Sequence, residues 1–425
     1  MSRIPRLLLP PAVAAVAALV AAGPASARSD RMATRLPLVM IDSKRPIVDD
    51  PKVMARMRVV NRRGRRVNRP GRRANAYRGW IGIEFRGQWS QQWPKKSFGV
   101  ETRDRKGDDR DVRLLGLPEE SDWVLHATHG DRSLLRNVLA FDLTRRMGRY
   151  APRVRFVEVV LNGRYHGVYI LMEPLEMGKR RIDAGDDGVL LELTAPDKVD
   201  SGDEPFSAGR SGATVVFADP DPDDLSDEEK AAMRGLVQGF DAALHSPASN
   251  DPATGWRRWA DERSVVDYVL LQELFRNQDA FHASTHFHAT PGGRLVFGPP
   301  WDFDLSLGNG SVPDTIAPQG WIRDKHAWIA RLKDPALMQA LLARWEQLRA
   351  DGLRTWLQRS INRRVRVLRV PARRNFARWR VLRENGVFEG QPRRASYRAE
   401  VRAMKRWIDQ RIAWLDGALR DAAGG

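Results

Sequence analysis

The stretch FVEVVLNGRYHGVYILM, residues 156–172, decides how the N-terminal half of the chain is read. Phe156 to Leu161 and His166 to Met172 are strand-like runs. NGRY between them carries Asn162-Gly163, a pair that readily takes the positive φ values of a tight hairpin turn. A hairpin here makes the alternation around it strand-like as well. Leu36 to Ile41 reads as the first strand, and Trp80 to Phe85 puts Ile81, Ile83 and Phe85 on one face. Ser97 to Glu101 resumes the pattern after RGQWSQQWPKK. One helix is expected among these strands, from Ser133 to Met147, with Ser133 as N-cap and Gly148 as stop.

Composition shifts in ADPDPDDLSDEEKAAM, so the boundary between a strand-rich half and a helix-rich half is placed near residue 220. Downstream, Ser226 with Glu229 forms a capping box, and Ser264 to Phe275 reads as a second helix. Asp334 before Pro335 opens a third, and Val401, Met404, Ile408, Ile412 and Leu415 form the buried stripe of the last.

A chain of 425 residues with 42% hydrophobic content fills one large or two coupled lobes. Residues 1–27 read as a secretory signal, with Arg3 and Arg6 ahead of the apolar stretch Ala12 to Ala22 and small residues at Ala25-Ser26-Ala27. Residues 28–35 are then a leader. The apolar stretch is shorter than the roughly 20 residues a spanning helix needs. The expected location is therefore secreted, periplasmic or cell envelope, with no transmembrane anchor once the signal is cleaved. The chain has no cysteine, which excludes disulfides, Cys-ligated zinc and thiol nucleophiles. A net charge of +18 favours acidic partners such as an envelope polymer. The basic residues are spread along the chain, so no dedicated nucleic-acid arm is read. RRGRRVNRPGRR, residues 62–73, is a solvated basic turn or an anion site.

Asp279, in NQDAFHASTHFH, falls where helix gives way to strand, a position from which a carboxylate can face a cleft. Asp302 follows 23 residues later in PPWDFDLSLGN, residues 299–309. If this stretch is extended, Asp302 and Asp304 share a face and repel unless a cation or proton lies between them. Either they are a charged strand end or they hold a hard cation such as magnesium. His282, His286 and His288 form a cluster, and zinc there would require a helix where the pattern is a strand. Lys95 and Lys96 stand at the start of a strand. Lys96 shares a face with Phe98 and Val100 and needs an anionic partner, for which Glu173 is a candidate. A G-x-S-x-G elbow, a Walker lysine loop and a G-x-G-x-x-G fingerprint are all absent.

Taken in order, FRGQWSQQWPKKSFGVE, LLGLPEESDWVLHA, the run from Ser133 to Glu173, GVLLEL, NQDAFHASTHFH and GPPWDFDLSLGN resemble the CotH family of secreted, atypical protein kinases. The resemblance implies an α+β, diverged two-lobe protein-kinase-like fold, with a strand-rich N-lobe over residues 36–220 and a helix-rich C-lobe over residues 221–425. It implies ATP with Mg²⁺ or Mn²⁺ in the cleft between them, and a protein substrate offering a Ser or Thr hydroxyl. By motif, Asp279 is the catalytic acid and Asp302 the metal ligand, Lys96 or Lys95 holds the nucleotide phosphates, and Glu173 holds that lysine. Ser284 stands where ordinary kinases place a metal-binding Asn, so Ser284 or Asp304 supplies the second ligand. With no Gly-rich loop, backbone amides of RGQWSQQ and the side chains of Arg86, Ser90 and Gln91 would cover the phosphates. Two rivals are an inactive pseudokinase-like scaffold binding acidic polymers, and a kinase-fold enzyme transferring AMP.

Overall fold

Alternation along the N-terminal strands gives their sheet an apolar face, and the pairing of its first and last strands closes it into a barrel around that face. The computed structural model describes residues 32–62, 66–325, 329–332, 334–382 and 387–424. The expected signal, residues 1–27, lies outside these, as do residues 28–31 of the leader and 63–65 of the basic turn. The chain lays down β1 (Leu38–Asp42), β2 (Val53–Val60), β3 (Tyr77–Arg86), β4 (Ser97–Arg103), the short pair β5 (Val112–Arg113) and β6 (Glu119–Glu120), and β7 (Asp122–His126). After helix α1 (Arg136–Arg146) come β8 (Val154–Leu161) and β9 (Arg164–Met172). Seven of these strands close in the order β1-β2-β3-β4-β7-β9-β8, antiparallel throughout except where β8 meets β1 in parallel. Because side chains alternate with period two, residues of one parity fill the interior: Val39 and Ile41, Ile81 and Ile83, Phe98 and Val100, Trp123 and Leu125, Val157 and Val159, Tyr169 and Leu171. The hairpin at Asn162-Gly163 forms as expected, with φ of 47° and 73° at the two turn residues.

A second sheet follows, built from β10 (Val189–Thr194), β11 (Pro205–Ser207), β12 (Thr214–Asp219), β13 (Thr285–Ala289) and β14 (Val296–Pro300) in the order β11-β12-β10-β13-β14. The division expected near residue 220 runs through this sheet, since β10 pairs with β12 on one edge and with β13 on the other. Around it pack α2 (Asp227–Leu244), α3 (Glu262–Phe275), the single turn α4 (Pro313–Ile316), α5 (Pro335–Ala350), α6 (Leu353–Arg378) and α7 (Tyr397–Gly424). One continuous core joins Phe141, Leu191, Phe240, Leu274, Trp345 and Leu415. The α+β class and the strand-rich N-terminal region therefore stand, and those strands close into a seven-stranded barrel. No described helix is long and apolar enough to cross a membrane.

Local chemistry sets the helix ends. Ser226 and Glu229 form the capping box of α2, Asp261 caps α3 and Asp334 caps α5. The first helix departs from expectation: it begins at Arg136, and Ser133 is not its cap. Asp131 takes most of that role, because its two carboxylate oxygens together accept the amides of Ser133, Leu135 and Arg136, each at 2.8 Å, while Ser133 Oγ shares only the Leu135 amide, at 3.1 Å. Helix α6 was not anticipated, because its apolar stripe of Leu357, Ile361 and Leu368 is diluted by arginines and interrupted by Pro371. It docks on the barrel where Gly167, at φ 122°, leaves room. A Cβ there would lie 2.6 Å from Asn375 Oδ1 and 3.1 Å from Lys95 Cε.

Three histidines are held neutral by burial. Burial, reinforced by Lys95, pushes His166 down to about 3 and His129 down to about 4, and burial with Arg149 nearby takes His288 to about 4. His166 Nδ1 shares a 2.8 Å hydrogen bond with the Tyr169 hydroxyl. The unfolded chain takes up protons near the ordinary imidazole range of about 6.5, which the folded chain refuses. Stability is therefore complete above that range and declines as pH falls toward about 4. Urea midpoints measured at successive pH values should drop through this window, and His166→Gln should flatten the decline.

Candidate functional site

Backbone hydrogen bonds bring the two acidic motifs together. Helix α3 ends at Phe275 with Arg276 in the left-handed conformation, which turns the chain sharply. The next residues pair with the loop after β14: Leu307 N donates to Phe275 O at 2.8 Å, Gln278 N to Leu305 O at 3.1 Å, and Asn277 Nδ2 to Asp302 O at 3.3 Å. Asp279 is thereby set beside Asp302 and Asp304. Arg411 of α7 locks the end of α3 from behind: Nη2 donates to Glu273 Oε2 at 2.9 Å and Nε to the Glu273 carbonyl at 2.8 Å. Glu273 also accepts the amides of Ile322 and Arg323.

The acidic loop is fixed from the other side by the first turn of α1. Arg136 is 1% exposed. Its guanidinium pairs with Asp131 at 2.5 Å and Glu400 of α7 at 2.8 Å, and donates to the Ser306 and Leu307 carbonyls at 2.7 and 3.3 Å. Asn137 beside it donates from Nδ2 to Asp304 Oδ1 at 2.6 Å and accepts the Phe303 amide at 2.7 Å. Asn309 Nδ2 donates to the Asp304 carbonyl at 2.8 Å. His126, at the end of β7, lies 3.4 Å from Asp304 Oδ1. The expectation of one extended stretch is corrected here. Strand β14 stops at Pro300 and Asp302 adopts φ 51°, so the two acids owe their common cleft to this network rather than to strand alternation.

The cleft itself has a volume of about 690 Å³ and lies between one end of the barrel and the five-stranded sheet. Arg86, Ser90, Asp279, Ser284, Asp302 and Asp304 all line it, joined by His126, Asn137, Glu192 and Lys198. Met172, Leu175, Leu190 and Val216 give it an apolar stretch. Burial, then the neighbouring charges of Asp304 and Asp279, raise the Asp302 carboxyl to about 7. Burial also raises Asp279, against the pull of Lys198. For His126, burial opposes the charged ring but Asp304 and Asp302 outweigh it, so its pKa rises. For Asp302 and Asp279 burial is the first cause, and the other carboxylates of the cleft add to it. Among the described residues no group of three or more His, Asp and Glu side chains is arranged to ligate an ion. Magnesium, which keeps waters and phosphates in its shell, needs only one or two carboxylates, and Asp302 with Asp304 supplies two.

The remaining expected residues are placed differently. Lys95 is buried behind the barrel mouth, where Nζ donates to the Ala127 and Val168 carbonyls and to Asn375 Oδ1 at 3.1 Å. Lys96 Nζ donates to the Gln91 carbonyl. Neither lysine lines the cleft. Glu173 does not pair with a lysine: its carboxylate accepts the Arg153 amide at 2.7 Å and pairs with the Arg153 guanidinium at 2.8 Å. Gln91 turns away to Asp49. His286, 3.4 Å from Glu192, lies on β13 and does line the cleft, whereas His288 on the same strand does not, and His282 precedes the strand. Sequence reading missed His126, Asn137, Glu192 and Lys198. Asn137 directly follows Arg136, and two polar residues side by side on an apolar helix were the available sign; Lys198, in a short turn after β10, gave none.

A family model described as CotH kinase protein matches residues 83–415. Inner spore coat protein H of Bacillus subtilis (strain 168) is 28% identical over 145 residues, 33% of each chain. The match thus spans about a third of the length of that curated relative.

Removing one partner of a buried, fully bonded ion pair costs about 3–5 kcal/mol. Arg136→Ala should therefore lower unfolding stability by about that much in urea titrations. Asn137→Ala, which orphans the buried Phe303 amide, should cost about 1–3 kcal/mol.

Proposed function

The chain belongs to the CotH kinase protein family, and on that premise we propose that it is an exported, metal-dependent atypical kinase. It transfers the ATP γ-phosphoryl group to a Ser or Thr hydroxyl of an envelope or extracellular protein. The observation that carries this reading is the single cleft in which Asp279, Asp302 and Asp304 meet Arg86, Ser90 and Lys198. In this reading the barrel end and the five-stranded sheet serve as the two walls of a diverged kinase cleft. The envelope or extracellular setting accords with the spore-coat relative and the expected signal at residues 1–27.

Asp279 accepts the proton of the acceptor hydroxyl as its oxygen bonds to the γ-phosphorus and the bond to the β-phosphate oxygen breaks, releasing ADP. Its raised pKa, caused first by burial, suits a group that must take up a proton. Asp302 and Asp304, with Ser284 at the edge of the set, would hold Mg²⁺ or Mn²⁺, whose charge would neutralise the phosphates when bound. The negative charges of Asp304 and Asp279 beside the buried Asp302 support that assignment. Lys198 and Arg86 hold the phosphate oxygens, because Lys95 and Lys96 are committed to backbone carbonyls. Backbone at Gly87 and Gln88, with Ser90, covers the phosphates from the barrel side, and Met172, Leu175, Leu190 and Val216 take the base.

Purified full-length protein given γ-labelled ATP, Mg²⁺ or Mn²⁺ and a Ser/Thr-rich acceptor should become or produce labelled protein. Asp279→Asn should lower the rate by about 10²-fold or more. Transfer of an α-label instead would assign AMP transfer. No transfer, with no rise in melting temperature on adding ATP and metal, would assign the scaffold role, which Ser284 and the missing glycine loop favour. Lys198→Ala should raise the KM for ATP about 10-fold while leaving adenosine binding unchanged, the loss being confined to charge-assisted phosphate contacts.

A further inference from the structure

Helix α6 carries nine arginines, no lysine and no acidic residue in 26 positions. Three of the nine are neutralised where α6 meets its neighbours: Arg354 by Asp409 at 2.7 Å, Arg364 by Asp142, and Arg374 by Glu158 at 2.5 Å. Arg359, Arg363, Arg366, Arg369 and Arg373 lie exposed on the opposite face and form no ion pair among the described residues. They follow one another at intervals of three or four residues and span roughly 20 Å at the helical rise. Like charges at such spacing repel across each turn, so the bare face costs the helix stability that a bound polyanion restores.

The ridge begins at a built concavity. A cavity of about 450 Å³ is lined by Arg146, Trp356, Arg359 and Arg363, with Asp351 at its edge. The Arg146 guanidinium sits 5.4 Å over the Trp356 ring and donates to the Asp351 carbonyl at 2.6 Å. None of the residues lining the acidic cleft belongs to α6, so the two sites are separate.

We propose that the outward face of α6 is a docking ridge for a linear phosphate polymer, entered at the cavity beside Trp356. Arginine alone supplies it, and the guanidinium fork matches phosphate oxygens two at a time, which an ammonium does not. A bilayer surface fits less well. The apolar stripe of α6 is spent in the core, leaving only Val367 and Val370, each 44% exposed, to face outward.

Binding of end-labelled long-chain inorganic polyphosphate to the full chain, followed by fluorescence anisotropy across a salt series, tests this. Arg363→Gln/Arg366→Gln/Arg369→Gln should raise Kd at least about 10-fold and reduce the log–log salt slope by about 2, since each lost phosphate contact removes about 0.7–0.9. Arg45→Gln/Arg105→Gln/Arg164→Gln removes the same charge from exposed sites elsewhere and should change Kd by less than about twofold. The matching Arg→Lys triple on α6 keeps the charge and the helix and should still bind several-fold more weakly. Equal weakening by the two Gln triples would reduce the attraction to net charge and overturn the proposal. Polyglutamate bound as tightly as polyphosphate would overturn the phosphate assignment. Preference for phosphatidylglycerol vesicles or single-stranded DNA over polyphosphate would assign the ridge to a lipid surface or a nucleic acid instead.

Discussion

The buried guanidinium of Arg136 is the constraint on which the rest of the site depends. A charge taken out of water is tolerated only when its donors are matched, and here Asp131, Glu400 and the Ser306 and Leu307 carbonyls match them. Those partners come from the turn before α1, from α7 and from the acidic loop. Satisfying one side chain therefore fixes three remote segments relative to one another. Asn137 follows from the same geometry, because once Arg136 faces the loop its neighbour is at the right height to hold Asp304 and the Phe303 amide.

Arg411 and Glu273 do the same on the far side, tying α7 to the end of α3 and to the loop at residues 318–323. Between these two buried pairs the chain has little freedom at Phe275 to Gln278 and at Asp302 to Leu307, and the backbone bonds between those segments complete the frame. Rigid support is what allows three carboxylates to stand together in a partly buried cleft. Unsupported, their repulsion would spread them toward water; held, they are buried, and that burial first, with the neighbouring carboxylates second, raises the pKa values of Asp302 and Asp279. The positive charge on the molecule is not spent on these carboxylates. Much of it lies on α6, away from the cleft.

Local features were the most legible in the sequence. The turn at Asn162-Gly163, the caps Ser226, Asp334 and Pro335, and the buried stripe of α7 depend on a few neighbouring residues, and each formed as read. The N-cap of α1 was misplaced because Asp131 and Ser133 both offer oxygens, and only the folded turn shows that Asp131 accepts three amides where Ser133 shares one. Barrel closure was not legible, since the pairing of β8 with β1 joins strands more than a hundred residues apart. The boundary near residue 220 was a change of composition, whereas the sheet follows β10 to β13 across it.

By itself the sequence determined the α+β class, the strand parity that fills the barrel, and the acids Asp279, Asp302 and Asp304 as the residues to watch. These follow from short-range periodicity and from the chemistry of side-chain types. Only the tertiary structure decided that the three acids line one cleft with Lys198 and Arg86, that Lys95 and Lys96 are committed to backbone carbonyls, and that Glu173 belongs to Arg153. The reason is that a charged side chain's partner is chosen by distance in space and by the cost of leaving a buried group unpaired, neither of which is written in its sequence neighbours.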